Sequence, residues 1–198
     1  MTRFSPRHVY LIPLMFLTPG LMAATKNPEC TVGPTTAASY TWNFSNETSQ
    51  LLQKLQAKAL TVRDEAAHLQ AVGRDNPDLT GWQPHAAILN RARDNVNDMD
   101  RILCRLRTIK RVDPSWQQRE IARITPTTLE LTDYTQAAIA FLGQHEDDLW
   151  SPDYRGDVRG IYQRASKLTN SLGNFEEYTA DRQDMQRLGR ELHVRSSS

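Results

Sequence analysis

Apolar residues recur along most of this chain at alternating spacings of three and four positions. That spacing places them on one face of an α-helix, and no run alternates apolar and polar residues over the length of a β-strand. Four such segments are joined by short polar stretches. Because short connections bring consecutive helices back antiparallel, the pattern predicts an all-α protein: an antiparallel up-down-up-down four-helix bundle with long heptad-patterned helices.

Start and stop signals bound the first two helices. Helix one is expected over about residues 46–72, with Ser45 as its N-cap. Helix two is expected to start at a capping box formed by Thr80 and Gln83 and to end near residues 110–112.

Helices three and four each begin with a cap residue followed by proline. Asp113 is the expected N-cap of helix three, Pro114 is its first residue, and Pro126 is expected to kink or briefly break it. Ser151 is the expected cap of helix four. The bundle is therefore predicted over residues 45–195, followed by a disordered tail at 196–198.

One apolar stripe on each helix defines the expected core. It comprises Leu52, Leu55, Ala59, Val62, Ala66 and Leu69 in helix one, Trp82, His85, Leu89, Ala92, Val96, Met99, Leu103 and Leu106 in helix two, Ile121, Ile124, Thr128, Leu131, Thr135, Ala138, Leu142, His145 and Leu149 in helix three, and Val158, Ile161, Ala165, Leu168, Leu172 and Phe175 in helix four. In helix four the stripe then drifts to Tyr178, Met185, Leu188 and Leu192.

The first 24 residues differ from the rest of the chain. Arg3 and Arg7 precede an apolar run over residues 9–22, which is too short for a comfortable transmembrane helix and ends in small residues. This is typical of a secretory signal peptide over residues 1–24, so the protein is expected to be exported, periplasmic or extracellular. A retained N-terminal anchor, with membrane association, is the alternative. Residues 25–44, rich in Thr, Pro, Gly and Ser, are expected to form an extended arm.

The chain has two cysteines, Cys30 and Cys104, and both remain after the predicted cleavage. In an exported protein an even pair favours a disulfide. In the expected topology, the arm that carries Cys30 lies at the same end of the bundle as the last turns of helix two, which carry Cys104. An intramolecular bridge is therefore predicted, with two free thiols or an intermolecular bridge as the alternatives.

The charge balance argues against a nucleic-acid partner. The formal net charge is +1, and loss of Arg3 and Arg7 with the signal peptide makes it about −1. Basic residues nevertheless gather at one end of the bundle: Arg101, Arg105, Arg107, Lys110, Arg111, Arg119, Arg123, Arg182, Arg187 and Arg190. Because acids interleave them, they are interpreted as a solvated, salt-bridged surface; an anionic partner such as a lipid headgroup or a cell-wall polymer is the alternative.

Glu65 and His68 form a Glu-x-x-His pair, which is half of the ligand set of a di-iron four-helix bundle. Such a site requires a second pair, and the chain contains no other Glu-x-x-His. The heptad places Glu65 at the flank of the core and His68 toward solvent. Neither a metal site nor a cofactor is therefore predicted.

Two other histidines, His85 and His145, fall on the apolar stripes. The topology places both in one end layer of the core with Trp82, Leu149 and Tyr154. A metal or small-ligand site is one interpretation, with help from nearby acids: Glu146, Asp147, Asp148 or Asp157. The other interpretation is a hydrogen-bonded polar layer that closes the end of a narrow bundle.

Three segments carry a resemblance to other proteins. "WQPHAAILNRARDNVNDM" in helix two, "PSWQQREIARITP" at the start of helix three and "LWSPDYR" at the start of helix four resemble an uncharacterised family of exported bacterial helical proteins. The similarity covers about residues 42–192. It implies export and an all-helical fold, and it brings no activity, cofactor or catalytic residue.

The sequence carries no motif for covalent haem, for phosphate binding by a glycine-rich loop, or for a hydrolase nucleophile. The function it favours is an exported binding or structural module without catalytic activity, which recognises a protein or envelope partner or self-associates through its helix faces. The alternative is a small-ligand or metal-binding periplasmic protein that uses the end layer around His85, His145 and Tyr154.

Overall fold

A computed structural model of the chain describes residues 44–75, 81–109 and 113–196. These residues form four α-helices: α1 (Phe44–Asp75), α2 (Trp82–Ile109), α3 (Ser115–Gln144) and α4 (Pro152–Ser196). The described ranges contain no β-strand, so the predicted all-α class is confirmed. The predicted signal peptide and nearly all of the predicted arm lie outside the described residues, as does the cap residue Thr80.

The four helices pack as a bundle. Helix α1 packs against α2 and α4, and α3 packs against the same two helices. All six predicted core residues of α1 are buried, and so are those of α4 from Val158 to Phe175. The apolar stripes read from the sequence therefore do form the core over this part of the chain, since burial of apolar area drives helix association.

The start of α3 differs from the prediction. Asp113 does not cap the helix, because α3 begins at Ser115 with Pro114 at the N-cap position and no side-chain cap bond. Asp113 is instead buried, and its Oδ2 accepts a hydrogen bond of 2.8 Å from the Thr48 hydroxyl of α1. The carboxylate that the local sequence assigned to capping instead bonds α1 to the segment that precedes α3.

Pro126 does not break α3, which runs unbroken from Ser115 to Gln144. The ring of Pro126 is exposed, so it does not compete for space with the core. The cost of the proline is limited to its own contact with the preceding helical turn. Next to it, the Thr125 hydroxyl donates to the carbonyl oxygen of Ile121 at 2.6 Å. The prediction of a local break was therefore wrong, because the residues around the proline remain held as helix by the bundle.

Ser151 caps α4 as predicted. The backbone N–H of Tyr154 donates to Ser151 Oγ at 3.2 Å, which satisfies one of the orphan donors of the first turn. Further along, Gly160 is buried against α3, where an added Cβ would lie within 2.7 Å of Cγ of the Tyr134 ring. The cap fixes where α4 starts, and the glycine allows α4 to approach α3 closely.

Candidate functional site

A buried histidine and a buried tyrosine meet where α2 and α4 begin. We call His85, Tyr154 and their neighbours Phe141, Leu142 and Leu149 the end layer. His85 is 2% exposed and Tyr154 is also 2% exposed. Phe141 packs on Tyr154 with ring centroids 5.9 Å apart. The end layer is thus a packed group of aromatic and aliphatic side chains that contains one imidazole.

A hydrogen bond joins the two polar groups of this layer. His85 Nδ1 lies 2.8 Å from the Tyr154 hydroxyl oxygen. Burial lowers the pKa of His85, and burial also raises the pKa of Tyr154. Both shifts favour the neutral form of each group, so the pair is an uncharged phenol–imidazole hydrogen bond at neutral pH.

A cavity of about 80 Å³ adjoins the pair and reaches the surface. Its lining includes the buried His85 and Tyr154 and the exposed Arg155 and Arg159. Two buried nitrogens of lining residues, His85 Nε2 and Gln70 Nε2, have no hydrogen-bond partner in the described part of the chain. Gln70 was not singled out in the sequence, because a glutamine in a helix gives no signal until its neighbours are known.

His145 is not part of this layer, contrary to the prediction. It is exposed, its backbone has left the helix with φ −138° and ψ 58°, and its ring stacks on Phe141 at 4.4 Å. The heptad could not place it, because α3 ends one residue earlier, at Gln144. Of the acids that were expected to help it, Glu146, Asp147 and Asp148 are also exposed, and Asp157 is half-buried. Leu149, by contrast, is buried in the layer as predicted.

The Glu-x-x-His pair is arranged as the heptad predicted. His68 is exposed. Glu65 lies at the flank of the core, where its Oε1 is 3.4 Å from Arg91 Nε of α2. Burial raises the pKa of Glu65, and the neighbouring Arg91 partly offsets that increase. Among residues 44–75, 81–109 and 113–196, no three His, Cys, Asp or Glu side chains are grouped so that they could hold a metal ion.

Many arginines of the basic end are paired with acids. Arg105 Nε lies 2.7 Å from Glu47 Oε1, Arg123 Nη2 lies 2.6 Å from Glu120 Oε2, and Arg187 Nη2 lies 3.2 Å from Asp184 Oδ1. Another, Arg182, places its guanidinium 5.4 Å from the centre of the Trp116 ring. These contacts fit the interpretation of a salt-bridged surface. Lys110 and Arg111 lie outside the described residues.

The second half of α4 presents an exposed apolar stripe. Tyr178 is 45% exposed, Leu188 53%, and Met185 and Leu192 67% each. We call these four residues the α4 stripe. The sequence predicted that the core stripe drifts to these residues, but it could not show that they lie beyond the point where the core ends.

Cys104 lies partly buried in α2, whereas Cys30 lies outside the described residues, so the bridge between them stays a prediction. Within the described helices, none is long and apolar enough to cross a membrane. Comparison of the chain with protein-family models, with curated proteins and with solved structures finds no match, and the resemblance to exported bacterial helical proteins stays a prediction.

Proposed function

We propose that this protein is an exported, non-catalytic structural module that self-associates through the α4 stripe. The observation that carries the proposal is the abrupt change in the burial of apolar residues along α4. Leu172 is fully buried and Phe175 is 7% exposed, whereas the four residues of the α4 stripe, to which the core stripe drifts, are 45–67% exposed. An apolar helix face that stays in water is unfavourable, and it commonly marks an interaction surface.

The spacing of the stripe favours a helix as its cover. Tyr178, Met185, Leu188 and Leu192 are separated by seven, three and four residues, which is the repeat of a coiled-coil seam. Within the bundle a repeat of the same spacing, from Val158 to Phe175, is covered by the other helices, although the two repeats are one position out of phase. A seam of this spacing supports helix-on-helix packing for the α4 stripe as well.

A second copy of the chain is the occupant that we propose. Each copy presents the same stripe, so two stripes are complementary in apolar character without any further assumption. Charges of both signs flank the stripe, including the Asp184–Arg187 ion pair, so the flanks do not carry a net repulsion of one sign. Because only four side chains contribute, the interface falls in the small class and the dimer is expected to be weak.

The up-down-up-down arrangement of heptad-patterned helices belongs to the same proposal, and inter-helix contacts support it. Glu47, early in α1, pairs with Arg105, late in α2. Further along, Lys58 of α1 pairs with Asp98 of α2 at 2.8 Å. The His85–Tyr154 bond joins the starts of α2 and α4. Export itself rests on the N-terminal sequence.

Sedimentation velocity over a wide range of protein concentrations tests the self-association. The wild type is expected to shift from monomer toward dimer as concentration rises, and Leu188→Glu and Met185→Glu are expected to remain monomeric. Gln163→Glu, which adds the same charge on an exposed face of α4 within the bundle, is the matched control and is expected to behave as wild type. A wild type that stays monomeric throughout, or a control that also loses the dimer, would show the proposal to be wrong.

The cavity beside His85 favours a second candidate function, which is small-ligand binding. A buried nitrogen without a partner costs about 1–3 kcal/mol, so His85 Nε2 favours any occupant that bonds to it. A ligand that binds only the folded state raises the melting temperature. A screen of small polar molecules that finds none able to raise it would count against this function and would leave the self-association untouched.

A further inference from the structure

The contents of the cavity beside His85 can be inferred from the chemistry of its walls. This inference deepens the second candidate function and rests on it. The cavity is small, about 80 Å³, and it extends from the buried His85 to the exposed guanidinium-bearing residues Arg155 and Arg159. A molecule of a few heavy atoms therefore has both room and a path of entry.

The hydrogen bond to Tyr154 determines which atom of His85 carries the proton. If the phenol donates to Nδ1 over the 2.8 Å distance, the phenol hydrogen has a partner, and only the hydrogen on Nε2 is left without one among the described residues. If Nδ1 donates instead, the phenol hydrogen and the lone pair of Nε2 both lack a partner among the described residues. The first arrangement leaves fewer buried groups unsatisfied, so Nε2 carries a hydrogen and is a donor.

Gln70 supplies a second donor to the same space. Its Nε2 is buried without a partner in the described ranges, and the residue lines the cavity. An amide nitrogen can only donate. The residues around the cavity thus offer two unsatisfied donors, two cationic side chains near its mouth and no carboxylate, while Leu69, Leu149 and Val158 provide apolar wall.

We propose that this cavity binds a small monocarboxylate of about the size of propionate. The carboxylate oxygens accept hydrogen bonds from His85 Nε2 and Gln70 Nε2, and the short alkyl group packs against Leu69, Leu149 and Val158. Arg155 and Arg159 attract the anion to the opening. The two oxygens of a carboxylate satisfy both donors at once and carry the charge that suits them, whereas an alcohol offers both donors a single neutral oxygen.

Titration of the purified protein, with ¹⁵N-labelled histidine, by sodium propionate tests the proposal. The Nε2 resonance of His85 is expected to shift in a saturable way, with a Kd on the order of millimolar, as suits so few ligand atoms. Gln70→Met, which removes one donor at nearly constant size, is expected to weaken binding about tenfold, the effect of one lost hydrogen bond. Gln136→Met on an exposed face of α3 is the matched control and is expected to bind as wild type.

Two further probes separate the failures. Propanol keeps the alkyl group of propionate but lacks its carboxylate. Inorganic phosphate is an anion that lacks the alkyl group. If either of them shifts the resonance and propionate does not, the carboxylate assignment is wrong although the cavity binds ligands. If none of the three does, or if Gln136→Met weakens propionate as much as Gln70→Met, the proposal is wrong, and the melting-temperature screen then decides whether the ligand-binding function fails with it.

Discussion

The Nδ1 atom of His85 lies 2.8 Å from the hydroxyl oxygen of Tyr154, and both side chains are almost completely buried. This bond joins the first turns of α2 and α4, and its two residues are 69 positions apart in the sequence. Because neither side chain has another hydrogen-bond partner among the described residues, the loss of either one leaves a polar group unpaired in an apolar layer.

Replacement of Tyr154 by phenylalanine is expected to destabilise the protein by about 1–3 kcal/mol. The ring still fills the same space, but His85 Nδ1 loses its partner in the core. Denaturant unfolding of both proteins measures the difference. Tyr162→Phe, at a position that is 37% exposed, is the control and is expected to change stability little. Equal stability of Tyr154→Phe and wild type would show that the bond contributes nothing.

The stability of the fold is expected to fall as the pH is lowered through the range in which histidine titrates. Burial lowers the pKa of His85 in the folded protein, whereas in the unfolded chain it titrates near its ordinary value of about 6.5. Below that value the unfolded state binds a proton that the folded state does not, so the contribution of His85 is complete above the unfolded pKa and is lost as the pH falls toward the folded pKa.

The contribution of His85 is isolated by comparing variants at each pH. His85→Gln is expected to flatten the dependence between about pH 7 and pH 5, and the exposed His68→Gln is expected to retain it. Buried carboxylates such as Glu65 and Asp113 have raised pKa values and act in the opposite sense, but they are common to all three proteins. Parallel curves for wild type and His85→Gln would contradict the assignment.

The Cys30–Cys104 bridge is expected to form when the protein is made in an oxidising compartment. A loop of about 75 residues closed in this way stabilises a fold by roughly 4–5 kcal/mol in the chain-entropy model. Peptide mapping without reduction should recover one cross-linked peptide that contains both cysteines. Recovery of Cys104 as a free thiol, or a dimer that reduction converts to monomer, would exclude the intramolecular bridge.

Much of the bundle could be predicted from sequence because its helices are repetitive. The period of the apolar residues from Leu52 to Leu69 depends only on the geometry of a helix, and it correctly predicted which residues are buried. The same period failed at His145, because a heptad carries no information on where a helix ends. It indicated a drift of the stripe after Phe175, but it could not show that Met185 is exposed, since burial also depends on whether other helices extend that far.

The candidate site could be predicted only in part from the sequence, for a related reason. His85 was named because a polar residue on an apolar stripe stands out, and Tyr154 because the expected topology places it in the same end layer. Gln70 and the Asp113–Thr48 bond were missed, because their roles come from contacts between residues that are far apart in the chain. Such contacts depend on the rotation of each helix about its own axis, which sequence periodicity gives only approximately.

Gly160→Ala is expected to destabilise the protein, although alanine is the better helix former. The added Cβ would lie within 2.7 Å of the Tyr134 ring at Cγ, and that ring also lies under the Arg164 guanidinium, 5.6 Å from its centre. Overpacking of a filled contact costs about 1–3 kcal/mol, which exceeds the roughly 1 kcal/mol gained from helix propensity. Gly156→Ala lies in the same helix with nothing within 4 Å, so it is expected to stabilise by that propensity alone. Thermal unfolding is therefore expected to show a lower melting temperature than wild type for Gly160→Ala and a higher one for Gly156→Ala. A stabilised Gly160→Ala would show that α3 and α4 are not held in close contact there.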